Sequence, residues 1–157
     1  MLKLENKVTQ MQRNNISIAK KTLNLLKKKS WNKISLSEIY KSKKNFPIKN
    51  KDELLTNINR YFDFLLKKNL SSLEESSKKD MLFEVLMARL DILNLHRKSI
   101  KNLIKYFYSN PKDFVKLLPS FVDTIILIAS ISHININGIK GIPKIKAIFL
   151  LYVLIIY

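Results

Sequence analysis

The sequence predicts an all-helical fold, and three observations predict it. Only two Gly and four Pro occur in 157 residues, too few for the tight turns that hairpins and sandwiches require. Apolar residues recur at intervals of three and four through long segments, the period of a helix face and not of a strand. Two of those segments follow helix-start patterns, Ser35-Leu36-Ser37-Glu38 and Asn50-Lys51-Asp52-Glu53, in which side-chain oxygens satisfy free amides. The length and the 46% hydrophobic content suffice for one domain with its own core.

In chain order, Ile16, Ala19, Leu23 and Leu26 share one face of a first helix, and Lys20, Lys21, Lys27 and Lys28 form its solvated side, ending near Lys29-Ser30. A short helix starts at Ser35. Residues 41–49 carry no apolar stripe and include Pro47, so they predict a basic loop. Asn50 then opens a long amphipathic helix through Leu54, Leu55, Ile58, Tyr61, Phe62, Leu65 and Leu66, the spine of the fold. A Ser-rich break from Leu70 to Ser77 joins it to a helix carrying Met81, Val85, Leu86, Arg89, Leu90 and Leu93. The next helix runs from His96 to Tyr108 and stops at Asn110-Pro111, with Pro suited to restart a helix. Phe114 to Leu118 is expected as a short segment closed by Pro119. Phe121, Val122, Ile125, Ile126, Ile128 and Ala129 make a helix apolar nearly all round, hence deeply buried or turned toward a partner. A loop with both glycines, from Asn135 to Pro143, closes it. The last helix runs from Lys144 to Tyr157, and its apolar end predicts a further segment beyond Tyr157.

Twenty-nine Lys and Arg against twelve Asp and Glu give a formal charge of +17, so an anionic partner is the first to test. A Lys, Asn and Ile composition bias would raise the charge equally well, and both readings stand. The absence of Cys removes disulfides, thiol nucleophiles and thiolate metal sites and fits a reducing cytoplasm. No secretory or transit segment is expected at the N-terminus, and no membrane-spanning helix, because the longest apolar run, Ala147 to Tyr157, falls short of about 20 residues. His96 and His133 stand alone, without the spacing that puts two metal ligands on one helix face. Neither a nucleophile elbow nor a phosphate-binding loop occurs, so the chain is read as a non-enzyme without cofactor. Asp123, in an apolar helix, is expected to find a partner on a neighbouring helix, as is Asp91 if buried. The aromatics Tyr61, Phe62, Phe64 and Tyr106, Phe107, Tyr108 read as core filling.

Trp31, then Ser35-Leu36-x-Glu38-Ile39, then Ile48-Lys49-Asn50-Lys51-Asp52-Glu53-Leu54-Leu55 resembles the start of a TetR-type regulator. The interval between these stretches, where that family holds its recognition helix, is several residues short and contains Pro47. Phe46-Pro47, the helix Leu82 to Leu93 with Arg89-Leu90, Ser120-Phe121-Val122-Asp123 and Ala147-Ile148-Phe149 resemble the coenzyme Q biosynthesis protein nine family, a TetR-like fold without DNA binding. These stretches cover most of the chain from about residue 16.

The resemblance implies a TetR-like all-α domain. Residues 1–70 form a shortened helix-turn-helix region, and residues 71–157 a C-terminal helical bundle packed with it as one unit. It implies a non-catalytic, lipid-binding accessory protein of ubiquinone biosynthesis, cytoplasmic or peripheral at the inner membrane face, and homodimeric. Such a protein presents isoprenoid quinone intermediates to the demethoxyubiquinone hydroxylase, with an anionic membrane surface as a further partner. Leu86, Leu90, Leu103, Phe107, Phe121, Val122, Ile125, Ile126 and Ile128 would form the lipid-binding or partner patch. Where the mitochondrial family has aromatics this chain has Ile126 and Ile128, so the contact would be aliphatic. The family's membrane-docking helix has no counterpart up to Tyr157. In the alternative reading the chain is a TetR-type regulator binding DNA as a homodimer, with Lys41, Lys43, Lys44 and Lys49 on the phosphates.

Overall fold

A computed structural model describes residues 2–40, 48–70 and 76–156, and among them the protein is all-helical, with no strand. Seven α-helices follow in order: α1 (Leu2–Leu26), α2 (Leu36–Tyr40), α3 (Lys51–Asn69), α4 (Lys78–Leu95), α5 (Arg97–Ser109), α6 (Pro111–Ile131) and α7 (Gly141–Ile156). A single 3-10 turn, Trp31–Lys33, lies between α1 and α2.

The chain forms two compact units that alternate along it. The first comprises Met1–Tyr61 and His96–Leu117, the second Phe62–Leu95 and Leu118–Tyr157. The sequence reading divides the chain once, near residue 70. The structure passes from unit to unit within α3, at the α4–α5 turn and within α6.

In the first unit Ala19, Leu23 and Leu26 of α1 are fully buried, as their spacing predicts. Leu54, Leu55 and Ile58 of α3 and Leu103 of α5 are buried too. Polar side chains seal the backbone here. Ser99 Oγ donates to the Leu23 carbonyl at 2.7 Å, and Asn102 Nδ2 donates to the Leu26 carbonyl at 2.6 Å. The Leu26 carbonyl lies at the end of α1, where intrahelical partners run out, and the Leu23 carbonyl accepts from the Lys27 N–H at 3.2 Å as well. Trp31 is buried, with Lys51 Nζ 5.6 Å from its ring centroid and donating to the Trp31 carbonyl at 3.1 Å.

The two helix starts differ. At α3 the cap is complete: Glu53 N–H donates to Asn50 Oδ1 at 2.8 Å, and Asn50 Nδ2 and the Lys49 N–H both donate to the Glu53 carboxylate. At α2 only half of the expected box forms. Glu38 N–H reaches Ser35 Oγ at 3.4 Å, while the Glu38 carboxylate pairs with Lys29 instead. A lysine carries full charge and outcompetes a neutral amide for the carboxylate.

Three further expectations are corrected. Pro119 does not end a segment: α6 runs through it without interruption. Pro119 and Val115, whose carbonyl loses its partner at the missing N–H, are both exposed, so that carbonyl lies on a stretch open to solvent. As a result α6, 21 residues long with a mean hydropathy of 1.9 over its most apolar window, is long and apolar enough to cross a bilayer, although the sequence reading expected no such helix. One third of that window is buried within the fold, and length and composition describe a core helix equally well. Lastly, α7 begins at Gly141 and not at Lys144. A Cβ on Gly141 would fall 1.7 Å from the Ile136 carbonyl oxygen, so only glycine lets the preceding loop close onto the helix start.

Candidate functional site

The second unit is built from the end of α3, α4, the later part of α6, and α7. Its interior is apolar, with Leu66, Val85, Ile92, Ile125, Ile128 and Ile148 all buried. One charged pair sits inside it. Arg89, 1% exposed, places Nη1 2.9 Å from Asp63 Oδ1 and donates through Nε to the Tyr152 hydroxyl at 3.1 Å. Its guanidinium also lies over the rings of Phe62 and Tyr152, at 5.6 and 5.9 Å. Thr124 Oγ1 stands 3.0 and 3.1 Å from the two Asp63 oxygens and 3.2 Å from the Ser120 carbonyl, so its one proton bonds one of these acceptors at a time. Four helices thus meet at one ion pair.

Burial pushes the Asp63 carboxyl above its usual range, against the opposing pull of Arg89 and Thr124. Desolvation disfavours the charged form, and a buried pair holds only when the remaining hydrogen bonds are supplied, as Tyr152 and Thr124 supply them here. The cluster offers an acid, a fixed cation and two hydroxyls, all engaged with one another. Its chemical capacity is anchorage: it holds α3, α4, α6 and α7 in register.

The residues expected for the patch divide by unit. Leu86, Leu90, Phe121, Val122, Ile125, Ile126 and Ile128 belong to the second unit, Leu103 and Phe107 to the first. Within α6 the face decides. Ile125 and Ile128 are fully buried, whereas Val122 and Ile126 are each 43% exposed. Leu86 is buried and Leu90 and Phe121 half-buried. Of the basic residues in the DNA reading, Lys49 is exposed, and Lys41, Lys43 and Lys44 lie outside the described residues. So does the Phe46-Pro47 pair, and so does most of the Ser-rich break before α4.

Asp123 and Asp91 are exposed, so neither needs the partner the sequence reading sought. The acid that meets the buried cation is Asp63, itself half-buried. Its signal was present, an acid inside Tyr61-Phe62-Asp63-Phe64, as was a cation on the apolar stripe at Arg89. Tyr152 and Thr124 carried none. Tyr108, read as core, is 68% exposed. His96 stands at the N-cap position of α5 without a side-chain capping bond, with burial and then Lys27 lowering its pKa, and His133 follows α6 at φ 51°. Among the described residues no three His, Cys, Asp or Glu gather in metal-binding geometry.

Charge and exposed apolar surface segregate between the units. The first unit's residues hold 21 Lys and Arg and 5 Asp and Glu, a formal charge of +16, while the second unit's hold 8 and 7, a charge of +1. Among the residues whose burial is described, fourteen large apolar side chains are exposed, Met11, Tyr108 and Val115 in the first unit and eleven in the second. A uniform composition bias does not produce such a division. On α7, Ile148 and Tyr152 face inward, while Leu150, Leu151, Val153 and Leu154 are exposed. Compared with protein-family models, with curated proteins and with solved structures, the chain finds no match.

Proposed function

We propose that this chain is a non-catalytic lipid-binding accessory protein of ubiquinone biosynthesis, peripheral at a membrane, presenting isoprenoid quinone intermediates to a membrane-associated hydroxylase. The motif resemblance supplies the pathway and the TetR-like arrangement, with a shortened helix-turn-helix and a C-terminal bundle. The observation that supports lipid handling is that, among the described residues, eleven of the fourteen exposed large apolar side chains lie in the nearly neutral second unit. Monomeric soluble proteins rarely leave extended apolar surface without a use for it. Burying an isoprenoid tail against such side chains gains about 25 cal/mol per Å² of apolar area removed from water, so a few isoprene units give useful affinity.

Native mass spectrometry of the protein purified from a quinone-making host tests this reading, and a co-purifying isoprenoid is the expected result. Ile126→Asp sharpens it. The side chain is 43% exposed, so the variant should keep its stability within about 0.5 kcal/mol and lose the lipid. A folded variant that retains the lipid removes α6 from the site, and a wild-type protein free of lipid removes the reading. The +16 charge of the first unit favours the alternative of a DNA-binding regulator, for which sequence-dependent retardation of an operator duplex is the test.

A further inference from the structure

On α5 the inward residues are Ser99 and Leu103, both buried, and their opposite face is cationic. At about 100° per residue, Lys98, Lys101 and Lys105 fall within about 60° of one another, with Arg97 beside them. All four are exposed, and α5 contains no acidic residue. Among the described residues none of the four has a carboxylate within ion-pair distance. The stripe continues onto the end of α1, where Lys27 lies close enough to the start of α5 to act on His96. At 1.5 Å of rise per residue, Lys98 and Lys105 are about 10 Å apart along the axis. That is comparable to the screening length of about 8 Å at physiological salt, so these cations act on one surface together.

We propose that this outward face of α5 docks the protein on an anionic phospholipid bilayer. One observation favours a bilayer over a duplex. Three of the four cations are lysines, point charges suited to mobile phosphate headgroups, where base-reading surfaces rely on the planar fork of arginine. The choice of bilayer rests on the lipid reading above; the cationic face does not.

The experiment is co-sedimentation of the full chain with vesicles of pure phosphatidylcholine and vesicles containing phosphatidylglycerol. The variant is the triple Lys98→Gln, Lys101→Gln, Lys105→Gln, and the control of equal charge is Lys78→Gln, Lys79→Gln, Lys140→Gln in the second unit. Each cation near an anionic surface contributes about 1 kcal/mol, about fivefold in partitioning. The α5 triple should therefore bind phosphatidylglycerol vesicles roughly a hundredfold more weakly and the control nearly as well as wild type. Circular dichroism confirms folding, which solvated lysines do not support. Equal losses in both triples overturn the proposal, because net charge and not this face would then govern binding. Equal wild-type binding to both vesicle types overturns it too, as does a random-sequence duplex that displaces the protein from phosphatidylglycerol vesicles. Retained isoprenoid in the α5 triple separates failure of the docking face from failure of the lipid reading.

Discussion

Replacing Arg89 with Met keeps most of the side-chain volume and removes the charge that faces Asp63. The consequence follows from burial: the side chains are 1% and 14% exposed, so the carboxylate left behind regains little water and keeps Thr124 and the charge of Lys67. Breaking a buried pair by deleting one partner costs about 3–5 kcal/mol, a large part of the 5–15 kcal/mol (roughly) that holds a typical domain folded. With a urea slope of about 2 kcal/mol/M, the midpoint should fall by about 2 M. The double replacement Asp63→Leu, Arg89→Met should recover most of that loss, since an apolar pair of similar volume needs no desolvation. Acidity adds a second signature. Because burial holds the folded Asp63 carboxyl above its usual 3.8, the folded state binds that proton more tightly than the unfolded chain. Its contribution to stability is then present below the unfolded pKa and lost as pH rises through the folded one. Without Arg89 to oppose the upward shift, Arg89→Met should be more destabilised at pH 7 than at pH 4. Urea titrations followed by circular dichroism at both pH values decide it. A cost under about 1 kcal/mol, or a double variant weaker than the single, would refute a desolvated pair.

Gly141→Ala should destabilise by about 1–3 kcal/mol, read as a lower urea midpoint, because the new Cβ meets the Ile136 backbone and backbone cannot step aside as a side chain does. Asn50→Ala removes the acceptor of the Glu53 amide and should cost about 1 kcal/mol, seen as faster hydrogen exchange in the first turn of α3. Burial, with the hydrogen bond to Asp113, pushes the Tyr106 phenol from 10.0 up to about 12. Its proton therefore contributes stability that is present below pH 10 and lost as pH rises through about 12. Tyr106→Phe should flatten that limb of the stability profile and remove one late step from the ultraviolet phenolate titration.

Helix starts were readable because capping is local: Asn50 and Glu53 are three residues apart, and their mutual bonds need nothing from the rest of the chain. The glycine-bearing loop before α7 and Pro111 at a helix start were readable for the same reason. Pro119 misled because a proline's local penalty depends on whether water can reach the carbonyl it leaves open, and that is a property of the folded surface. Ser35 and Glu38 misled because Lys29, contributed by the turn after α1, took the carboxylate.

Residue spacing by itself determined that the chain is all-helical, where most of its helices lie, and how much positive charge it carries. Only the tertiary structure decided that Arg89 meets both Asp63 and Tyr152, and that nearly all the net charge belongs to one unit while eleven of the fourteen large apolar side chains exposed among the described residues belong to the other. The physical reason is range. Helix periodicity and caps are set by neighbours within a turn, whereas Arg89 and Tyr152 are 63 residues apart and meet only when burial of the apolar faces around them brings four helices together.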